Sequence, residues 1–426
     1  MDTHRWKLGL GRTLALAMAL LALSLAAHAT AKYKVLYHLP SPDMGVAPGV
    51  TVDKEGNVYA ATGNGGTGKD CGEYGCGLIF ELTPQPGGKW TYSLVHDFIG
   101  TWDGGGPNGN FAVDDAGNLW GATVGGGEGE RKGGNVFELS PGGDGWTMTV
   151  LYRLCNQQGC LLAPRSGLVR DIAGNLYGTT PEGGVHEGGG GFEVSPGPDG
   201  KWTGHVLHQF PSFSGDGSGP YAGLIIDTAG NLYGTTSYGG TGCLGEGCGT
   251  VYELSPESGG KWKETVLHRF DNNGTDGYFP GAGALFMDSS GSLYGTTEVG
   301  GHTSLGGGTV FKLTRLANGS WKENILHNFP GGSGGDLPTA GVVMDKAGNL
   351  YGTTGAGGGP NGCGVIYKLA PAAKDIWKYS VLHTFGRVGD GCLPSGNLVI
   401  DSNGNLYGGT IFGGTHGNGV VFELTP

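Results

Sequence analysis

The sequence predicts an all-β fold: a seven-bladed β-propeller with four antiparallel strands per blade, its ring closed by an N-terminal strand pairing in the C-terminal blade. Three observations carry this. A phrase of the type D-x-x-G-N-L-Y recurs seven times, beginning at Asp53, Asp114, Asp171, Asp227, Asp288, Asp345 and Asp401, at intervals of 56 to 61 residues. Each copy contains four strand-like runs divided by turn residues, with no helical period. The fourth run has only six complete copies inside the array, and its missing counterpart stands near the N-terminus. Repetition at such a period means stacked supersecondary units. Four strands per unit is the propeller plan, which hides sheet edges by packing blades face to face.

Arg5, Lys7 and Arg12 precede an apolar run, and Ala27-His28-Ala29 offers a small-x-small cleavage site, so residues 1–29 read as a signal peptide. Residues 30–426 then form one propeller domain, in which 30–40, with the run Lys32–Leu39, supply the last blade's fourth strand. Within a repeat, Gly223–Ile226 is the first strand, and the small residues Gly281, Ala282, Gly283, Ala340 and Gly341 at the same place suit a crowded hub. Asp227–Gly230 is a turn, its Asp capping amides and its Gly accepting positive φ. Asn231–Thr236 and Val251–Leu254 are the second and third strands. The fourth begins at Trp262, as elsewhere at Trp90, Trp146, Trp202, Trp321 and Trp377. A linear solenoid has no reason to displace one strand to the other chain end, whereas a ring that must remove its open edge does.

Gly and Pro number 93 and 21 of 426 residues, a composition that would mean low complexity in an aperiodic chain. The period and an aromatic content of 10% exclude disorder. The net charge of −12, without basic clusters, argues against nucleic acid or an anionic membrane as partner. No C-terminal anchor follows Leu424-Thr425-Pro426, so a secreted or periplasmic monomer is expected.

The combined string DG-x-x-P, GLI-x-D-x-x-GNLYGTT-x-x-GG, GTVFELTP and W-x-x-x-VLH-x-F resembles the tandem repeat of exported bacterial GloVer-type proteins across essentially the whole mature chain. The resemblance implies a propeller-like repeat protein and brings no catalytic motif.

Cys71 and Cys76, Cys155 and Cys160, and Cys243 and Cys248 form three C-x4-C pairs, leaving Cys363 and Cys392. Eight cysteines in an exported chain point to disulfides. In an up-down blade the loop between strands two and three and the loop leading to the next blade emerge at one end, which makes a Cys363–Cys392 bond sterically sensible. Zinc is the rival, but the C-x2-C spacing is missing.

Whatever recurs in every blade is first a requirement of the blade. His38, His96, His208, His268, His327 and His383 fall at one repeat position, with Tyr152 as the seventh, and read as packed, hydrogen-bonded rings. The turn aspartates and the tryptophans read the same way.

Binding is expected on the long-loop end. There Asp103, Asp216, Asp276 and Asp390 open D-G-x-x-P loops, with Asp336 a looser relative. They form either a crown of carboxylates for Ca²⁺ or a cationic ligand, or simple caps of a repeated turn. Trp102, Tyr221, Tyr238, Tyr278 and Phe279 interleave there, either as flat platforms for a sugar or as packing points of the loops. Blade three deviates: Arg170 replaces an apolar residue and needs a partner, expected to be a carboxylate, while Arg165, Glu182 and His186 are the candidates for acid–base chemistry on a polysaccharide. Glu298 with His302, and His416, recur in later blades. The leading expectation is a binding or scaffold module without cofactor, recognising an extracellular glycan or protein. The alternative is a carbohydrate-active lyase or hydrolase in blade three.

Overall fold

The computed structural model describes residues 31–40, 46–100, 102–126, 133–154, 159–212, 215–281, 283–302, 306–372 and 376–426. The expected leader and Cys155 lie outside them. Seven antiparallel sheets carry the repeat, each ordered from first strand to fourth. Their inner strands are Val46–Val52, Ala112–Val113, Val169–Arg170, Ile225–Ile226, Phe286–Met287, Val343–Met344 and Gly391–Ile400. Blade four is representative: Ile225–Ile226, Leu232–Thr236, Thr250–Glu257 and Lys261–Arg269 pair in that order.

Closure is direct. Strand Lys32–His38 pairs antiparallel with Val420–Thr425, Lys32 opposite Thr425 and His38 opposite Val420. The core is divided into seven apolar clusters, one between each consecutive pair of blades. The one that seals the ring joins Leu39, Tyr407 and Val421 of blade seven to Val50, Val58 and Phe80 of blade one.

The repeated residues have identifiable jobs. The glycine of L-Y-G-T-T lies beneath an aromatic ring from strand three: a Cβ on Gly295 would come 2.6 Å from the Phe311 ring. At the hub, a Cβ on Gly283 would collide with the backbone of Gly341, which is why only small residues serve there. Each turn aspartate accepts from two amides, and in all but blade two, where Trp120 stands in its place, also from the Tyr of its own motif. Asp227, for example, accepts from Ala229 and Asn231 amides at 2.9 Å and from the Tyr233 hydroxyl at 3.0 Å.

The D-G-x-x-P loops are locked to the preceding blade. Gly106, Ala163, Gly219, Phe279, Leu337 and Leu393, each just before a proline, have φ between 54° and 67°. Each donates its amide to a carbonyl of the preceding blade at 2.9–3.1 Å, as Phe279 does to Cys248 and Leu393 to Cys363. Four of these six are not glycine, and a left-handed backbone costs such residues on the order of 1 kcal/mol or more. Hydrogen bonding between blades holds the strained loops in place.

Two expectations are corrected by the register. In the closing strand Tyr37 pairs with Val421 as His96 pairs with Ile79, and the strand-four bulge is the same in all seven blades. Tyr37, not His38, therefore occupies the repeated histidine position. Among the described residues no ion pair joins Arg170 to a carboxylate; its guanidinium lies 4.4 Å from the ring centroid of Trp120, the residue that replaces the motif tyrosine in blade two. An arginine stacked on an aromatic face keeps its charge in water while covering the ring.

Candidate functional site

The repeated histidines and the D-G-x-x-P aspartates pair with each other. His96 Nε2 lies 3.1 Å from Asp103 Oδ2, and His383 Nε2 lies 3.0 Å from Asp390 Oδ2. Asp103 is only 1% exposed and also accepts from the amides of Ile99 and Gly100 at 3.1 and 3.0 Å. Burial works to raise its carboxyl, but the His96 hydrogen bond and those amides outweigh it and hold Asp103 below the usual carboxylate range. Asp390 is lowered in the same way, its burial outweighed by the His383 hydrogen bond and charge.

A carboxylate depressed in the folded state adds stability that is fully present above its unfolded value, and this stability is lost as pH falls through the folded value. The melting temperature should therefore fall as pH drops below about 4. Asp103→Asn should flatten that acid limb; an unchanged limb in Asp103→Asn and Asp390→Asn would refute this role.

The expected crown is thus not an open ring. Asp103, Asp276 and Asp390 are buried in blade interfaces, Asp216 is exposed, and Asp336 is half-buried with its backbone paired to Ala356. Trp102 is 48% exposed, and its carbonyl accepts from Asn135 at 3.3 Å and Arg153 at 3.2 Å. Tyr278 packs edge-on to Phe279, ring centroids 5.2 Å apart.

In blade three the structure brings together two of the three candidates. Arg165 Nη2 donates to Glu182 Oε1 at 3.1 Å, but the two side chains are 47% and 52% exposed, and a pair so solvated is worth little. Glu182 sits in a short ribbon, Glu182–Gly183 against Leu161–Leu162. His186 is exposed, its carbonyl accepts from the Ser212 hydroxyl, and among the described residues no hydrogen bond or ion pair joins it to Arg165 or Glu182.

Three of the five loop aromatics do converge. Tyr221, Tyr238 and Phe279, with Ser237 and Glu298, line a cavity of about 250 Å³ between the long loops of blades four and five. The Tyr238 and Phe279 rings meet edge-on at 5.5 Å, and both tyrosine rings lie over Gly219, where a Cβ would come within 3.2 Å of each. Phe279, which lines the recess, has a left-handed backbone with φ 55°. Burial pushes the Glu298 carboxyl above the ordinary carboxylate range. Aromatic faces, a hydroxyl and a carboxyl in one recess match the usual make-up of a small-ligand site. The volume is below the roughly 300–1,000 Å³ of drug-sized pockets.

His302 does not share that recess with Glu298. It lines a separate cleft of about 520 Å³ on the outer strands, with His268, Asp276 and Glu323. Those three residues are also the group whose ligand atoms could hold a metal ion among the described residues. Sequence reading singled out His268 and Asp276 but not Glu323, because its position two residues after Trp321 looks like an ordinary solvent-facing strand site.

The cystines match expectation where they are described. Cys71–Cys76, Cys243–Cys248 and Cys363–Cys392 are bonded, and Cys160 is bonded as well.

Among solved structures, the chain is similar to a catalytically inactive virginiamycin B lyase from Staphylococcus aureus with quinupristin, at 14% identity and a TM-score of 0.54, covering 93% of this chain and 99% of that one. It is also similar to PorZ, a bacterial surface component of the type-IX secretion system of Porphyromonas gingivalis, at 15% identity and a TM-score of 0.50, covering 92% of this chain and 47% of that one. At such identities the likeness is one of fold. No curated protein matches the chain. The Gloeobacter/Verrucomicrobia repeat matches residues 47–306 and 242–426, which together hold all seven blades' repeated motifs, and the chain belongs to that repeat family.

Proposed function

We propose that this propeller is an exported, non-catalytic binding module that takes a single residue of an extracellular glycan into the recess lined by Tyr221, Tyr238, Phe279 and Glu298. The recess is the observation that carries the reading: two tyrosine rings and a phenylalanine offer apolar faces for the C–H face of a sugar, and Ser237 and Glu298 offer polar groups to its hydroxyls. Its small volume suits one residue of a chain better than a whole oligomer. Disulfides agree with an oxidising, extracytoplasmic setting. A lyase or hydrolase in blade three gains no support from the solvated Arg165–Glu182 pair.

The test is a glycan array followed by calorimetry on the strongest hit. Tyr238→Ala and Glu298→Gln should each weaken binding by about tenfold, the scale of one lost aromatic or hydrogen-bonding contact. Wild-type affinity in both folded variants, or turnover of the bound glycan, would reject the proposal.

A further inference from the structure

The repeat supplies its own controls for the cleft between blades four and five. Two residues after the leading tryptophan, strand four carries a tyrosine in blades one, six and seven, and in blades six and seven that ring stacks on the preceding blade's histidine. Tyr379 stacks on His327 at 4.1 Å with an interplanar angle of 1°. Tyr33, at the equivalent register in the closing strand, stacks on His383 at 3.7 Å and 4°. In blade five this place is taken by Glu323, so a carboxylate faces His268 where a flat apolar ring would serve packing.

The histidine responds. The His–Asp contact that is a hydrogen bond of 3.0–3.1 Å in two other interfaces is opened to 3.5 Å between His268 Nε2 and Asp276 Oδ2. Glu323 Oε2 stands 3.6 Å from the same nitrogen. These are ion-pair separations, too long for good hydrogen bonds. They leave polar atoms stranded: His268 Nε2, Asp276 Oδ1 and Glu323 Oε1 are buried without a hydrogen-bond partner, and the Asp276 side chain is only 8% exposed. Orphaned buried polar atoms cost free energy, and three at one point call for a ligand.

We propose that His268, Asp276 and Glu323 bind a divalent transition-metal ion, zinc being the reference, which clips blade four to blade five. The geometry fits the ion. Donor atoms from the three residues lie within 4.8 Å of one another. A tetrahedral ion with bonds of about 2.1 Å sets its ligands about 3.4 Å apart, close to the 3.5 and 3.6 Å separations seen here. One imidazole with two carboxylates suits zinc and its first-row neighbours, whereas calcium wants oxygen alone.

The site is supported from outside, as working metal ligands are. The Asp271 amide donates to Asp276 Oδ2 at 3.0 Å, and Asn273 Oδ1 accepts from the Asp276 amide at 3.0 Å, which fixes the loop. The three residues open onto the 520 Å³ cleft, from which water can supply a fourth ligand. Blades three and four carry the same residue types, His208, Asp216 and Glu264, but Asp216 is exposed there and the donors do not assemble.

Calorimetry on the full chain, stripped with chelator and titrated with Zn²⁺, should give one tight site per molecule, and Co²⁺ should show visible absorption of low-coordinate type. Glu323→Gln should weaken Zn²⁺ by about 100-fold or more, at least the cost of losing a supporting ligand. Glu323→Tyr restores the ring found in other blades, so it should fold and lose the site. Glu264→Gln should leave Zn²⁺ binding unchanged. No Zn²⁺ binding by the wild type would overturn the proposal. So would equal binding by folded Glu323→Tyr, which would mark adventitious capture by exposed histidines.

Discussion

Deleting residues 31–40 should leave a chain that no longer melts cooperatively, binds hydrophobic dyes and aggregates. The segment forms the whole fourth strand of blade seven, running opposite Val420–Thr425. Its removal exposes the backbone edge of that strand, and unpaired edges recruit other chains. It also opens two of the seven interface cores. Tyr33 and Val35 pack on the cluster containing Phe385 and Phe422, while Leu36, Tyr37 and Leu39 pack on the cluster that joins blade seven to blade one. Leu39 alone is 1% exposed, and truncating such a leucine to alanine costs about 2–5 kcal/mol. Several such losses approach or exceed the roughly 5–15 kcal/mol of a whole domain. Leu39→Ala should still fold, with its denaturation midpoint lowered accordingly. A synthetic peptide of residues 31–40 should restore cooperative melting to the truncated chain. A truncated protein that melts like the wild type would show that this strand is decoration.

Replacing Cys363 and Cys392 by serine should cost about 3.5 kcal/mol, against about 2 kcal/mol for Cys71 with Cys76 or Cys243 with Cys248. The difference follows from the loops closed: the sequence separations are 29 residues in the first case and 5 in the others, and the entropy withheld from the unfolded chain grows with the logarithm of loop length. Position adds to length. Cys363 sits ahead of the third strand of blade six and Cys392 lies in the first strand of blade seven, so this cystine fastens the last blade to its neighbour. Urea titration of the three double variants gives the comparison, and equal losses in all three would contradict it.

The architecture was legible because the blade is repeated. The strand count demands a displaced strand at Lys32–Leu39, and the loop geometry of an up-down blade pairs Cys363 with Cys392. Blades two to six have inner strands of two regular residues, so that Gly223–Ile226 narrows to Ile225–Ile226, whereas those of blades one and seven run longer, over Val46–Val52 and Gly391–Ile400. The error at His38 has a local cause. Residues 35–39 align without a gap on residues 150–154, which puts Tyr37 beside Tyr152 at the repeated position, and the histidine that follows it is one residue out of register. The site was harder to read. Tyr221, Tyr238 and Phe279 could be named as aromatics but not as neighbours, since their convergence depends on the left-handed turn before Pro280. Glu323 was missed because its meaning is set by His268 on another blade, a contact 55 residues back in the chain that no local pattern displays.

The join between Lys32–His38 and Val420–Thr425 also imposes an order in time. When the chain emerges vectorially, from a ribosome or through a translocation pore, its first strand has no binding partner until its last strand has come out. The six preceding blades can be assembled while that leading segment waits, yet the wheel locks only once Val420–Thr425 has emerged. A chain halted before that point keeps an unpaired strand edge at its leading segment.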